Sequence, residues 1–347
     1  MSIIPTYINT NINHKHDILK HFLLKPKTIH SYTQCLSSFL IYIQIHFPHS
    51  PIFSHTLSSS TSSTSSSSSF SSSSVQLISE LDRLLCNYVN YLYIHHDKHY
   101  KATNTFNALC FYLPQCKNQL YYESHQRLRA WTKAKLPNKQ YKTPFTIELT
   151  YVLALSLIKG NYIYYAIGVL LSFECYLRIG ELCNIRICDI GKPTDTMKMI
   201  VGLSNTKTGP NQSVIVRCPF ITSLILLLLQ NKNENSKAKL FPFKNTDDFR
   251  HMFQSGCHIL GLDRYHFSPH CLRHGGCTHD YVINQHNINT VIERGRWSAS
   301  KSVRTYIHTL QYLNIHLKEK NLTTLGKKII HQSQQLFLLV KSKLQQT

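Results

Sequence analysis

Residues 268–276 read Ser-Pro-His-Cys-Leu-Arg-His-Gly-Gly, and the fold of this chain turns on that stretch. Ser268-Pro269 is a helix start, with Ser268 as cap and Pro269 at the first helical position, where a missing N–H costs nothing. His270 and Arg273 then stand three apart and project from one helix face. Alone, such a pair is an ordinary basic helix surface. Two other stretches change its meaning: CYLRIGEL at 175–182 and RGRWSASKSVRTYIH at 294–308. Together they supply, in order, Arg178, His270, Arg273, Trp297 and Tyr306. Arginine forks neutralise and orient phosphate oxygens. A tyrosine hydroxyl can act as a covalent nucleophile. The set suits phosphoryl transfer without a metal.

With these residues in this order, the chain resembles the tyrosine recombinase/integrase family. That family's signature is an Arg in R-x-G-E-L, then H-x-x-R, then G-H/W, then a nucleophilic Tyr. The resemblance is good from Thr143 to about Tyr306 and loose before it. It implies that Arg178 and Arg273 hold the phosphate, with His270 beside them, and that Tyr306 attacks. Trp297 stands where many members have His; an indole N–H can donate to a phosphate oxygen but cannot shuttle a proton. The family also places a lysine on a β-hairpin turn to protonate the leaving oxygen. Lys207 in SNTKTGPNQS is the best match and Lys198 the alternative. Tyr312 is the nearest competitor for the nucleophile. Two departures stand out: Tyr176 where many relatives have Gly, and Gly275-Gly276-Cys277 where Thr-Phe-Ala is commoner. The H-x-x-R-x-G-G and G-R-W forms are similar to recombinases of eukaryotic mobile elements, of the DIRS and Crypton types.

Composition agrees. Lys+Arg total 38 against Asp+Glu 17, a net charge of +21, with 21 His besides. Such an excess calls for a polyanionic partner, nucleic acid before an anionic membrane. The apolar run 224–229 is too short to span a bilayer, and the N-terminus lacks a secretory pattern. The 11 cysteines, an odd count with no C-x-x-C, read as reduced intracellular thiols. In a eukaryotic host the nucleus is the expected location. The cluster His266, His270, Cys271, His274, Cys277 and His279 fits no common structural zinc spacing, so neither a metal nor another cofactor is expected.

Along the chain, Tyr32, Leu36, Phe39 and Ile43 form one helical stripe, and Leu77, Leu81, Leu84, Tyr88 and Leu92 another. Between them residues 58–74 are almost all Ser, a tract that cannot bury a core and is expected to be disordered. A third helix is expected over 102–113. A basic linker is expected over 125–142, carrying Arg127, Arg129, Lys133, Lys135, Lys139 and Lys142. The plain reading of those charges is a solvated helix; between two DNA-gripping domains they would lie on phosphates. Strands are expected at 199–203 and 214–216, flanking a polar turn at 204–213.

The expected architecture is therefore mainly α with a small antiparallel β-sheet, arranged as a two-domain DNA clamp. Residues 1–142 would be the helical core-binding domain and 143–320 the catalytic domain. Residues 321–347 would be a tail able to dock on a neighbouring protomer. The resemblance implies double-stranded DNA as partner, no membrane, and a homotetramer on two paired DNA sites. The alternatives are a type IB topoisomerase activity, or a DNA-binding protein derived from a mobile element and no longer catalytic.

Overall fold

In the computed structural model, residues 23–54, 70–113, 122–134, 143–191, 193, 197–206, 209–230 and 232–346 are described. They fall into two compact units, 1–139 and 140–347.

In the first unit, α1 (Pro26–His46), a short α2 (Pro51–Ser54), α3 (Phe70–Ile94), α4 (His99–Tyr112) and α5 (Tyr122–Ala134) enclose one core. The stripes expected from the sequence are its faces: Leu36, Phe39 and Ile43 of α1 meet Leu84, Leu85, Tyr88 and Leu92 of α3. Most of the Ser tract lies outside the described residues. Its last five residues correct the expectation of disorder, because α3 begins at Phe70 and includes 70–74. These serines extend an amphipathic helix whose burial, further along, supplies the stabilisation.

The stretch read as a linker from 125 also differs. Leu128 and Trp131 of α5 are buried in this core, so α5 belongs to the helical unit and only its outer face is basic. Arg129 and Lys133, one turn apart, are exposed and Arg127 is half-buried. Lys135, Lys139 and Lys142 lie outside the described residues.

The second unit is built on two apolar helices, α6 (Ile147–Lys159) and α7 (Ile163–Glu174). Thr146 caps α6: its hydroxyl accepts from the Leu149 N–H at 3.3 Å. A one-turn α8 (Ile179–Leu182) follows, then the hairpin of β1 (Met199–Thr206) and β2 (Gly209–Val216). These strands pair antiparallel, from Met199 with Val216 to Thr206 with Gly209. Met199, Val201, Leu203, Val214 and Val216 face the core, whereas Ile200 and Ile215 face out, the alternation of a half-buried strand. The ladder runs further than the apolar residues suggested. Backbone pairing needs no apolar side chain, and Thr206 Oγ1, 3.0 Å from Gln212 Oε1, joins the strands near the turn.

Next come α9 (Pro219–Leu229), α10 (Thr246–Ile259), α11 (His270–Val282), α12 (Ile288–Gly295) and α13 (Ser300–Arg304). The helix expected from Ser268 starts at His270 instead, because Ser268 Oγ lies 3.8 Å from Cys271 Sγ and caps no backbone N–H. The chain ends in α14 (Thr309–Lys318), α15 (Lys320–His331) and α16 (Ser333–Gln345). The segment read as a tail packs on its own unit. Gly326 of α15 sits so close to α6 that a Cβ there would stand 2.5 Å from Glu148 backbone oxygen. Leu336 and Val340 of α16 are buried in the main core. Burial of two such side chains stabilises this docking by about 3–6 kcal/mol. Among the described residues no helix is long and apolar enough to cross a membrane.

Candidate active site

Arg178 is the residue that opens α8, and Glu181 fixes it. The Glu181 carboxylate accepts from the Arg178 backbone N–H at 2.9 Å and from its Nη1 at 2.6 Å. The Arg178 side chain stays 21% exposed. Glu181 also accepts from Arg296 Nη2 at 2.7 Å, so one buried carboxylate holds two arginines.

Arg273, on the face of α11 it shares with His270, is fully buried. Its Nη1 donates to the carbonyl of Tyr176 and its Nη2 to the carbonyl of Gly295 at 2.7 Å. The guanidinium lies 4.4 Å from the Trp297 ring centroid and 5.4 Å from that of Tyr306. Burial, then the nearby Arg178 and Arg296, push its pKa down to about 10. It therefore stays charged at neutral pH, in a place where an anion is strongly favoured.

The glycines explain how α11 reaches this position. A Cβ on Gly275 would stand 1.9 Å from the Phe145 carbonyl, and one on Gly276 2.2 Å from the Phe173 carbonyl. The helix rests its backbone directly on its neighbours, and Gly275-Gly276 is what permits it. Tyr176 is the other departure. It holds φ +48°, the left-handed region that glycine enters freely, and a tyrosine is kept there by burial and a hydrogen bond to Asp280. Asp280 also accepts from Arg294 Nη1 at 2.7 Å, and Arg294 Nη2 reaches Glu174 Oε1 at 2.6 Å.

Tyr306 follows α13 with its ring against three others. Its centroid is 4.5 Å from His274, stacked, 5.0 Å from Trp297 and 5.5 Å from His270. Thr278 Oγ1 lies 3.2 Å from the Tyr306 carbonyl. Trp297 is largely buried, and its indole N–H has no acceptor among the described residues. Arg273 Nε and Arg296 Nε and Nη1 likewise have none. Buried donors without acceptors are uncommon, and several in one place suit an anion.

The structure thus brings Arg178, His270, Arg273, Trp297 and Tyr306 into one place. Lys207 lies outside the described residues, in sequence between the paired Thr206 and Gly209. Lys198 is exposed and stands next to Met199, at the opposite end of the ladder. Tyr312 is fully buried, its hydroxyl 2.8 Å from His279 Nδ1 and 3.4 Å from the Ile147 N–H. Of the residues read as DNA-binding, Arg127, Arg129 and Lys133 belong to the first unit. Among the described residues no group of three His, Cys, Asp or Glu side chains is placed to hold a metal ion. Sequence reasoning missed Arg296, although it stands inside a quoted motif, because nothing in the sequence shows that it shares Glu181 with Arg178.

Residues 148–312 match the model of the phage integrase family. They form a phage integrase family domain. The tyrosine recombinase XerD of Rickettsia bellii (strain RML369-C) is 25% identical over 228 residues, covering 59% of this chain and 72% of the relative. Two solved structures are also similar. One is the XerH site-specific recombinase bound to its difH substrate before cleavage, at 17% identity and a TM-score of 0.47, covering 67% of this chain and 69% of the other. The second is the Tn1549 transposon integrase, residues 82–397, with circular intermediate DNA. It shows 15% identity and a TM-score of 0.48, covering 68% of this chain and 84% of the other. Within the family's motif, Arg178, His270, Arg273, Trp297 and Tyr306 of this chain all fall inside the matched span.

Proposed function

We propose that this chain is a site-specific DNA recombinase that cuts and rejoins strands through Tyr306, in the service of a mobile element. The Tyr306 hydroxyl attacks a phosphorus, the bond to the 5′-oxygen breaks, and the tyrosine proton passes to an acceptor at the site. The leaving oxygen takes up a proton from a general acid, for which Lys207 is the candidate. A 5′-hydroxyl of a partner strand then attacks the 3′-phosphotyrosyl bond and releases the tyrosine. The bond energy is conserved, so the cycle needs no nucleotide.

The observation that carries this reading is the position of Tyr306. Its ring packs on Trp297 and two histidines, with the Arg273 guanidinium 5.4 Å from its centroid. Tyrosine is a weak nucleophile at neutral pH, its unperturbed pKa being about 10. The nearby cationic charge would stabilise charge growing on phosphorus. The site residues supply binding and chemistry from one chain, the basic outer face of α5 would add phosphate contacts, and exchange between two duplexes calls for a tetramer on paired sites.

The test uses the full chain and nicked duplexes selected from a random-sequence library for covalent capture. Wild-type protein should give a protein–DNA adduct that denaturation does not separate. Tyr306→Phe should give none and bind the duplex nearly as well. Adducts in the Phe variant would remove Tyr306 from the role. Relaxation of supercoiled DNA without joining to a second duplex would assign the same chemistry to a topoisomerase.

A further inference from the structure

Gly295 and Arg296 form the corner that ends α12. Gly295 gives its carbonyl to Arg273, and Arg296, left-handed at φ +56°, gives its Nη2 to Glu181. Glu181 in turn holds Arg178. One two-residue turn therefore reaches both arginines of the site. The next residue, Trp297, stacks on Arg273. The turn tolerates nothing larger at 295: a Cβ there would stand 1.7 Å from the Trp297 ring.

Charge shows what Arg296 does. Two guanidinium groups bond to one carboxylate, and both Arg296 and Glu181 are almost wholly buried, with 7% and 3% of their side chains exposed. If Arg178 alone faced Glu181, the two charges would cancel, and a phosphate would meet a neutral pair in place of a cation. A buried carboxylate shared between two arginines cancels only part of each. We infer that Arg296 is a positioning residue that offsets the charge of Glu181, leaving Arg178 oriented by the carboxylate yet still cationic toward a phosphate.

The inference rests on Arg178 binding the reacting phosphate. Arg296 itself need not touch that phosphate. Its effect passes through Glu181, so it should depend on Glu181 being charged. It should also depend on the charge of the phosphate. A methylphosphonate, in which one charged oxygen is replaced by a methyl group, asks less of Arg178.

The experiment measures single-turnover adduct formation by the full chain on a library-selected nicked duplex, with the reacting phosphate normal or as methylphosphonate. Loss of one preorganised charge contact slows such steps by about 10²–10³-fold. Arg296→Gln should slow cleavage of the normal phosphate to about that degree, and Arg296→Lys less. The double variant Glu181→Gln with Arg296→Gln should recover at least tenfold over Arg296→Gln alone. On methylphosphonate the defect of Arg296→Gln should shrink by a similar factor. If Arg296→Gln fails to fold, the double variant lacks the uncompensated carboxylate and is read against wild type, where it should be slower by no more than about tenfold, well short of the loss that follows removal of one charge contact. A double variant as slow as Arg296→Gln, or as slow as that loss where the single variant is not available, overturns the inference. So does an equal defect on both phosphates. Absence of any adduct from wild-type protein would instead sink the recombinase reading.

Discussion

Arg273 donates to the backbone carbonyl of Tyr176, and Tyr176 is held at φ +48°. The residue that orients the buried arginine thus sits in a conformation that costs a non-glycine residue roughly 1 kcal/mol or more. Its ring is buried, its hydroxyl bonds to Asp280, and Arg294 lies 5.2 Å from its centroid. Tyr176→Gly would relieve the backbone but lose the ring, and large-to-small changes of buried aromatics cost about 3–5 kcal/mol. The net should be a loss of about 2–4 kcal/mol by those two figures, read as a lower denaturation midpoint. A variant as stable as wild type would show that the ring contributes little.

Tyr312 is a structural residue. Its hydroxyl serves His279 and the first turn of α6. Tyr312→Phe should form covalent adducts at the wild-type rate while losing about 1 kcal/mol, the typical worth of one buried hydrogen bond. Loss of adducts with unchanged stability would give Tyr312 a part in the chemistry.

Gly275→Ala should be among the most damaging single-methyl changes in the chain. Its Cβ would meet backbone at 1.9 Å, and backbone cannot swing aside as a side chain can. Overpacking of this kind costs about 1–3 kcal/mol, sometimes more. Because His270 and Arg273 ride on the same helix, cleavage should fall further than the lost stability explains. Thermal melts set beside single-turnover rates separate the two effects.

Stability should depend on pH through Glu148 and His316, whose Oε2 and Nε2 are 2.9 Å apart. Burial works against the Glu148 carboxylate, but the hydrogen bond from His316, a backbone hydrogen bond, the His316 charge and the Thr146 hydroxyl together outweigh it, and its pKa is lowered from 4.5. The bond to Glu148 raises His316 above 6.5. The carboxylate contribution is present above 4.5 and lost as pH falls through the lowered value. The histidine contribution is full below 6.5 and lost as pH rises through the raised one. The pair should therefore stabilise most between 4.5 and 6.5. The stability gap between wild type and Glu148→Gln, followed by denaturant melts across pH, should be widest there; a gap flat with pH would contradict this.

Adduct formation should persist in excess EDTA. In the proposed reaction two arginines would supply the charge that divalent ions supply in two-metal nucleases. Loss of cleavage in EDTA with recovery on adding Zn²⁺ or Mg²⁺ would overturn that reading.

The sequence carried much of this. The apolar stripes of α1 and α3 and the cap at Thr146 are local patterns, and local patterns are visible in one dimension. So was the order of Arg178, Arg273 and Tyr306, because a motif survives without its geometry. What stayed hidden depends on distant partners. Arg296 reads as one more basic residue until Glu181, 115 positions away, is seen beside it. Trp131 belongs to a basic stretch whose charges outweigh it, yet it anchors α5 in a core. Gly275-Gly276 reads as an oddity until Phe145 and Phe173 press against it.

Thr278 joins two segments of the second unit. It lies on α11, one helix with Arg273, with its Oγ1 2.7 Å from the His274 carbonyl and 3.2 Å from that of Tyr306, and it accepts from the His308 N–H at 3.2 Å. The segment that carries Tyr306 is thereby fastened to the helix that carries Arg273. If Tyr306 attacks DNA as proposed, a change at Thr278 would disturb the nucleophile and the phosphate-holding arginine together, since one side chain serves both segments.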